Sequence, residues 1–312
     1  MKILERLSIA FWAIVVAASA PLPAFAAGAA PLKFMTFNIW TDAFGNPVSE
    51  REAGVEAAML KLKPDVISLQ EVSINWWKSP IFRHLKAAGY GIIRGDFDEA
   101  LQRANWTGRK PEWLVNAEPL LYRKETLNLI DLGMEFFHVN LQAAKCVTWA
   151  VFEEKRTKRR FVAFATHFWW QHNGKESDTI RELNARHVLL LLRDIRRKWG
   201  ENLPAILGGD LNSNEKSIAH AMLRSGGFAN AASTAPVRSP HCSHHGDPQR
   251  GEDGKLHGSL RPAAHDRPER SLDYIYCTKG IRALRHEIIT DQYVLDVSDH
   301  SPVVAEFAVE AE

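Results

Sequence analysis

Acidic, amide and imidazole side chains in this sequence recur at the ends of apolar, strand-like runs. Five of them close or directly follow such a run: Asn38, Glu71, His167, Asp210 and Asn212. Two further groups stand where a strand begins: Asp273, and the pair Asp299–His300. Metal-binding carboxylates, a base and neutral hydrogen-bond donors are the parts that hydrolysis of a phosphate ester requires. Each residue alone is typical of a turn, a cap or a buried core position, so the joint pattern carries the interpretation.

The residue types suggest a division of roles among these groups. Glu71 and Asp299 are suited to hold a hard divalent cation such as Mg²⁺, with Mn²⁺ or Ca²⁺ as alternatives. Asn38, Asn212 and His167 offer hydrogen bonds to phosphate oxygens without adding negative charge.

The remaining groups are suited to move protons. Asp273 is a candidate to orient His300, which would then take a proton from water. Asp210 is a candidate to position the nucleophile or to protonate the leaving oxygen.

Hydrophobic periodicity predicts the strands that position these residues. They span residues 33–39, 65–70, 120–122, 127–132, 147–152, 159–167, 205–209, 272–277 and 302–307. If the polar groups gather at one edge, some strands run toward that edge and others run away from it. An all-parallel doubly wound sheet places its site at carboxyl ends only, so mixed or antiparallel sheets are expected.

Helices are predicted between these strands. Ser49 and Glu52 have the spacing of a capping box, which predicts a helix that ends before Pro64. Ser79–Pro80 begins a second helix, and Ile218 lies in a short third one. Ser177 is expected to cap a long helix reaching about residue 199. Its predicted inward side chains are Ile180, Leu183, Leu190, Leu191 and Ile195.

Composition favours one ordered α/β domain without internal repeats or linkers. The chain has 312 residues, of which 46% are hydrophobic and 24% charged, and this excludes a disordered protein. The net charge of +2 argues against a broadly basic nucleic-acid-binding surface.

The first 26 residues are typical of a secretory signal peptide. Lys2 and Arg6 precede the apolar run 7–20, and Ala24–Ala26 has the small-residue pattern of a cleavage site. The run of 14 residues is shorter than the roughly 20 that a spanning helix needs, although an uncleaved anchor is the alternative. We therefore expect a secreted or periplasmic protein whose single domain spans residues 27–312.

Three cysteines allow at most one disulfide, so a disulfide scaffold is excluded. Cys146 and Cys277 are expected in the core. The stretch 233–270 reads as a long loop insertion, either a functional lid or a disordered segment. Its cluster of His241, Cys242, His244 and His245 fits a flexible histidine-rich loop, with a Zn²⁺ site as the alternative.

Six short motifs resemble, in order, those of the endonuclease/exonuclease/phosphatase superfamily. They are Thr36–Asn38, Leu69–Glu71, Thr166–His167, Gly209–Asn212, Leu272–Ile275 and Ser298–Val303. The resemblance implies a four-layer α/β/β/α sandwich of two mixed, mainly antiparallel sheets, the fold of DNase I. It also implies metal-dependent hydrolysis of phosphoesters.

The resemblance also implies roles for individual residues. Glu71 would be the main metal ligand with Asn38 and Asp299 beside it, and His300 would be the general base oriented by Asp273. Asp210, Asn212 and His167 would contact the phosphate and the attacking or leaving oxygen. The family's partner for the mid-chain histidine is ambiguous here, because Asn116 matches by spacing and Glu118 by chemistry.

The substrate is not specified by these motifs. Trp169 and Trp170 directly follow the His167 motif and are candidates to contact substrate, while most tryptophans are expected to be packing residues. Arg270 is a candidate to attract an anionic substrate. We expect a monomeric phosphodiesterase or phosphatase for a small or lipid-borne phosphoester. A secreted nuclease is the alternative, and a non-catalytic surface-binding module is the alternative outside enzymes.

Overall fold

The structure is a computed structural model that describes residues 30–43, 45–95, 118–138, 145–260 and 271–310. The predicted signal peptide at residues 1–26 lies outside the described residues. Within the described ranges, no helix has both the length and the apolar character needed to cross a membrane.

Seven strands form the first sheet. They are β1 (Leu32–Asn38), β2 (Val66–Gln70), β3 (Tyr90–Ile93), β4 (Leu120–Arg123), β10 (Val237–Arg238), β14 (Ile281–Ile288) and β15 (Val303–Val309). Their order across the sheet is β10-β14-β15-β1-β2-β4-β3. The pairs β1–β2 and β10–β14 are parallel, and the other neighbours are antiparallel.

Six strands form the second sheet. They are β5 (Leu127–Phe136), β6 (Cys146–Glu154), β7 (Arg160–His167), β8 (Ala205–Asp210), β9 (Ala229–Asn230) and β13 (Asp273–Cys277). Their order is β5-β6-β7-β8-β13-β9, and β7–β8 is the parallel pair. The expectation of mixed, mainly antiparallel sheets is confirmed. A two-stranded hairpin of β11 (Gln249–Arg250) and β12 (Leu256–His257) lies apart from both sheets.

The two sheets pack face to face around an apolar core. Phe34 and Phe307 of the first sheet belong to the same buried cluster as Phe152, Phe161 and Ile206 of the second. A Cβ atom on Gly208 would lie 2.4 Å from the Phe34 ring, so glycine is needed where the sheets approach closely.

Helices cover the outer faces and complete the α/β/β/α order. The described helices are α1 (Val48–Leu62), α2 (Ile74–Lys78), α3 (Ile81–Ala87), α4 (Lys175–Trp199), α5 (Ile218–Ser225), α6 (Ala231–Thr234) and α7 (Gln292–Leu295). Val55 of α1 and Phe82 of α3 pack with Ile67 of the first sheet. Val188 of α4 packs with Leu207 of the second. The predicted sandwich is therefore confirmed.

The predicted capping box at the start of α1 is wrong. The helix begins at Val48 with Pro47 as its N-cap and has no side-chain cap. Glu52 instead accepts a hydrogen bond from the Ser79 hydroxyl (2.6 Å), which links α1 to the start of α3. A tertiary contact has replaced the local one that the spacing suggested.

The long helix α4 also differs from its prediction. It begins at Lys175, and the Ser177 hydroxyl accepts a hydrogen bond from the backbone N–H of Asn173 (2.9 Å) rather than capping the first turn. Leu183 and Leu190, expected to face inward, are 36% and 45% exposed. The buried stripe carries polar residues such as Arg181 and Asn184 as well as apolar ones, so apolar spacing alone misplaced its edge.

The stretch 233–260 is more structured than the predicted loop, because it contains β10, β11 and β12. Its remainder, 261–270, lies outside the described residues. Cys146, Cys242 and Cys277 are all buried and form no disulfide, and burial was expected for Cys146 and Cys277. The sequence patterns did not predict the helices α2, α6 and α7 or the strands β3, β9 and β14.

A buried histidine joins α5 to β13, which carries Asp273, and to the loop that follows Asp210. His220 Nε2 donates to the Ser213 carbonyl (3.1 Å), so Nδ1 accepts from the Tyr276 hydroxyl (2.7 Å). Its ring also packs edge-on against Tyr274, with centroids 4.5 Å apart. Burial lowers the pKa of His220 to about 4, and the ring is therefore neutral near pH 7.

We expect His220 to make the fold sensitive to acid. Between pH 6.5 and 4 the unfolded chain binds a proton at this residue and the native state does not, so stability falls as the pH decreases. From pH 7 to pH 5 its contribution amounts to about 2 kcal/mol in the free energy of unfolding. Urea unfolding of the wild type and His220→Gln at both pH values measures it. An equal loss of stability in the two proteins would contradict the assignment.

Candidate active site

Strand register brings the predicted polar residues to one edge of the two sheets. In the second sheet His167 lies opposite Asp210 on the parallel β7–β8 pair, and Asp210 lies opposite Asp273 on antiparallel β13. In the first sheet Asn38 lies opposite Gln70, the residue before Glu71. Strand ends of both directions therefore meet at this edge.

Asp210 is buried at the centre of the site, with 2% of its surface exposed. Its Oδ2 accepts a hydrogen bond from Asn38 Nδ2 (3.1 Å) and lies 3.4 Å from His167 Nε2. The same oxygen lies 3.8 Å from His300 Nε2, and Oδ1 accepts from the backbone N–H of Asn212 (2.9 Å). One carboxylate thus contacts groups from both sheets.

Glu71 is held by the loop after β1. Its Oε1 accepts from Asn38 Nδ2 (3.1 Å), and its Oε2 accepts from the backbone N–H of Thr41 (2.7 Å). Glu71 and Trp40 have left-handed backbone angles, with φ of 62° and 60°. This conformation is unfavourable for residues other than glycine, and such strain concentrates at functional sites.

Asn212 has the same left-handed backbone, with φ of 49°. Its Nδ2 donates to the Phe168 carbonyl (3.2 Å), which ties the turn after β8 to the end of β7. The side chain therefore fixes the loop that follows His167.

His300 and Asp273 form a buried carboxylate–histidine pair. His300 Nδ1 lies 2.6 Å from Asp273 Oδ2, and its Nε2 lies 3.8 Å from Asp299 Oδ2. The Ser298 hydroxyl accepts from the backbone N–H of His300 (3.1 Å) and donates to the Asn38 carbonyl (2.7 Å). The hydroxyl therefore joins the loop before β15 to the end of β1.

Burial and neighbouring charge govern protonation in this cluster. Burial opposes a charged His300, but Asp273 and Asp299 outweigh it and hold its pKa well above the usual value. Burial, followed by the charge of Asp273, raises the pKa of Asp210 to about 7. Burial also raises the pKa of Asp299 to about 6, and the charge of Glu71 adds to that increase.

His167 has a lysine as its direct partner. Lys145 Nζ lies 2.7 Å from His167 Nδ1, whereas Glu118 Oε1 lies 3.9 Å from that nitrogen. An ammonium group has only donors, so Nδ1 accepts and the ring proton sits on Nε2, facing Asp210. Burial and the Lys145 charge hold the pKa of His167 well below its usual value, so the ring is neutral.

Glu118 lies behind this pair. It accepts a hydrogen bond from the Cys146 thiol, and burial raises its pKa to about 8 against the opposing charge of Lys145. Asn116, the alternative partner for His167, lies outside the described residues. The sequence reading missed Lys145. The register of β6 against β7, with Val147 opposite Thr166, is the signal that would have placed it beside His167.

Residues 243–246, here called the 243–246 segment, form a wall of the site. The Ser243 hydroxyl accepts from the backbone N–H groups of Leu272 (3.1 Å) and Asp273 (3.0 Å). His245 N–H donates to the Asp299 carbonyl (3.0 Å), and His244 forms an isolated β-bridge with His300. The expectation of a flexible histidine-rich loop is therefore wrong here, because main-chain hydrogen bonds hold the segment on both sides.

Arg51 supports the site from behind and was also missed from sequence. Its Nη1 donates to the Ile39 carbonyl (2.8 Å) and the Val297 carbonyl (3.1 Å), which lie near Asn38 and Asp299 along the chain. The guanidinium is fully buried and lies 5.1 Å and 5.0 Å from the rings of Trp40 and Trp76.

The structure describes two of the three predicted substrate-contacting residues, Trp169 and Trp170. Trp170 is 54% exposed, and Trp169 is half-buried beside it with ring centroids 6.2 Å apart. Arg181 of α4 donates to the carbonyls of Trp169 (3.1 Å) and Gln171 (2.9 Å), which fixes this loop. Arg270 lies outside the described residues.

The acidic groups suit a divalent cation. Glu71 is close enough to Asp299 for its charge to raise the pKa of the Asp299 carboxyl, and a cation between the two would relieve this repulsion. Carboxylate oxygens are the ligands that Mg²⁺ prefers. Asn38 orients the Glu71 carboxylate through Nδ2.

Comparison with known proteins supports this picture. The sequence profile of the Endonuclease/Exonuclease/phosphatase family matches residues 35–300. Among curated proteins, none matches the chain.

Solved structures share the fold. The endonuclease/exonuclease/phosphatase from Bacteroides vulgatus aligns with a TM-score of 0.67 and 24% identity, covering 89% of this chain and 99% of that one. The Bacteroides thetaiotaomicron mannosyl-6-phosphatase gives 0.65 and 18%, with coverage of 89% and 99%. The human Nocturnin catalytic domain with bound sulfate gives 0.64 and 17%, with coverage of 89% and 94%.

The lysine–histidine contact leads to a test of the His167 tautomer. In protein labelled with ¹⁵N-histidine, we expect His167 Nδ1 to be unprotonated and Nε2 to carry the proton. Lys145→Met removes the donor and should cost about 1–3 kcal/mol in the free energy of unfolding, because a buried acceptor loses its partner. Lys145→Arg is the control that keeps a donor. A protonated Nδ1 in the wild type would contradict the assignment.

Proposed function

The chain belongs to the endonuclease/exonuclease/phosphatase family, and we propose that it is an exported, Mg²⁺-dependent hydrolase of small or lipid-borne phosphoesters. The observation that carries the proposal is the buried Asp273–His300 pair, whose outer nitrogen, Nε2, faces Asp210 and Asp299. A binding module would not need an oriented base beside carboxylates. Mn²⁺ or Ca²⁺ are alternative metals.

Glu71 and Asp299 would hold the metal, with Asn38 orienting Glu71. A bound divalent cation supplies charge that stabilises a phosphoryl transition state and polarises the phosphate oxygens. The phosphate would then lie near Asp210 and His167, within reach of the Nε2 proton of the neutral imidazole.

His300 would accept the proton of the attacking water at Nε2, because the positive charge of a cation held by Asp299 would offset the carboxylates that raise the pKa of His300. Asp273 accepts the Nδ1 proton at 2.6 Å, which fixes the ring orientation and stabilises the imidazolium that forms. Asp210, with a pKa of about 7, can hold or release a proton near neutral pH and is placed to serve the leaving oxygen.

Trp170 gives the proposed substrate class a physical basis. An exposed indole beside the His167 loop offers a flat apolar surface to a sugar ring, a base or a lipid headgroup. The net charge of +2 favours small or membrane-borne substrates over long anionic polymers. A nuclease remains the second candidate, because the same indole would stack on a nucleobase.

Metal removal tests the chemistry directly. We expect the purified protein to hydrolyse a chromogenic phosphomonoester or phosphodiester in Mg²⁺, to stop in EDTA and to recover when Mg²⁺ is restored. A panel of sugar phosphates, phospholipids, RNA and plasmid DNA then identifies the substrate class. Salt-sensitive DNA cleavage would promote the nuclease. Equal turnover in EDTA would remove the metal from the mechanism.

Replacement of the proposed base should abolish most turnover. We expect His300→Ala to lower kcat by about 10²–10⁴-fold, the usual contribution of general base catalysis. His84→Ala is the matched control, because His84 is an exposed histidine paired with Glu56 on the surface. Circular dichroism checks folding of both variants. A wild-type rate in His300→Ala would exclude this residue as the base.

The indole surface should affect binding more than chemistry. We expect Trp170→Ala to raise KM by about tenfold, since stacking on an aromatic side chain contributes roughly 1–3 kcal/mol, while kcat changes little. Trp170→Phe keeps a ring and should retain most of the affinity. If Trp170→Ala and wild type have the same KM on the best substrate of the panel, the indole does not contact it.

A further inference from the structure

A second group of potential metal ligands lies at the edge of the site. His244 Nε2 is 3.9 Å from Asp299 Oδ2, and His300 Nε2 is 3.8 Å from the same oxygen. The three ligand atoms all lie within 4.8 Å of one another. Bonds of about 2.0–2.1 Å to a tetrahedral ion place ligand atoms roughly 3.4 Å apart, so a small inward shift would suffice.

The backbone holds these side chains in place. His245 N–H and Gly246 N–H both donate to the Asp299 carbonyl, at 3.0 Å and 3.2 Å, and Ser301 N–H donates to the Ser243 carbonyl (2.7 Å). His244 is therefore bracketed by hydrogen bonds on either side and faces His300, with ring centroids 4.8 Å apart. The three ligands are arranged without any loop movement.

His300 pairs with a carboxylate through Nδ1, as metal-binding histidines commonly do through the ring nitrogen that does not bind the metal. Its Nδ1 lies 2.6 Å from Asp273 Oδ2, so Nε2 is the nitrogen that faces His244 and Asp299. Histidines bound to zinc almost always donate their other ring N–H to a carboxylate, a carbonyl or water, which fixes the tautomer.

The donor set differs from the oxygen-rich pair of Glu71 and Asp299. Two imidazole nitrogens and one carboxylate suit Zn²⁺, and Zn²⁺ binds nitrogen ligands more strongly than Mg²⁺ does. Three protein ligands also leave a fourth position open, as in other two-histidine, one-carboxylate sites.

We propose that His244, Asp299 and His300 form a Zn²⁺ site that inhibits the enzyme. A bound Zn²⁺ would displace the Nε2 proton of His300 to solvent, would occupy the lone pair of that nitrogen and would share Asp299 with the catalytic cation. The inhibition rests on the proposed function, because it requires His300 to act as the base. Zn²⁺ binding rests only on the geometry. His241 and Cys242, part of the cluster that suggested zinc from sequence, are not in this ligand set.

Metal binding is measured on the intact, metal-stripped protein, apart from activity. We expect calorimetry to show a Zn²⁺ site, and Co²⁺ at that site to give visible absorption bands typical of nitrogen ligands. His244→Gln should weaken Zn²⁺ binding by at least about tenfold and remove these bands. His241→Gln, from the same part of the chain, is the matched control, and thermal unfolding checks that both variants fold. Equal Zn²⁺ affinity in wild type and His244→Gln would overturn the site.

Activity distinguishes the two parts of the proposal. With saturating Mg²⁺, we expect Zn²⁺ to inhibit the wild type and to inhibit His244→Gln at least about tenfold more weakly, in line with its lost affinity. If Zn²⁺ binds through His244 but leaves the rate unchanged, the inhibitory role is overturned and the base assignment of His300 fails with it. If the protein hydrolyses no phosphoester but still binds Zn²⁺ through His244, the proposed function fails and the site stands.

Discussion

The buried carboxylate of Asp210 is the interaction on which the rest of the site depends. A carboxylate removed from water must be compensated by hydrogen bonds and opposite charge, or its burial costs several kcal/mol. Here Asn38 comes from the first sheet, while His167 and the Asn212 backbone come from the second. His300 approaches the same oxygen from the loop before β15. The contacts of this one buried group therefore align the edges of both sheets and set the relative positions of the side chains in the candidate site.

Buried polar contacts hold this arrangement in place against strain in the backbone. Trp40, Glu71 and Asn212 adopt left-handed backbone angles, which persist only where surrounding contacts over-determine them. Arg51 supplies some of those contacts, because it joins the residue after β1 to the loop before Asp299. The Ser243 hydroxyl does the same for the start of β13. The site is thus built from rigid strand ends, with its loops fixed by buried polar side chains.

Hydrophobic periodicity predicted most of the strands, and polar residues at both starts and ends of strands predicted mixed sheets, while the sandwich itself was implied by the resemblance of the six motifs. It predicted Asp210, Asp273 and His300 from their types and places. It did not predict Lys145 or the 243–246 segment, since their partners lie far away in the chain and only strand register brings them together. The capping box at Ser49 failed for a related reason: Glu52 bonds to Ser79 instead of its own helix end. Local sequence patterns identified most strands and the residue types of the site, whereas tertiary contacts determined which side chains bond to each other.

The near-neutral net charge of +2 fits a site in which affinity for phosphate comes from a metal and a few donors. The most direct test is the anomalous difference map of a crystal soaked with Mn²⁺ and inorganic phosphate. We expect a peak about 2.0–2.5 Å from carboxylate oxygens of both Glu71 and Asp299, with phosphate beside Asp210 and His167. A metal that contacts neither carboxylate, or phosphate bound away from this edge of the sheets, would contradict it.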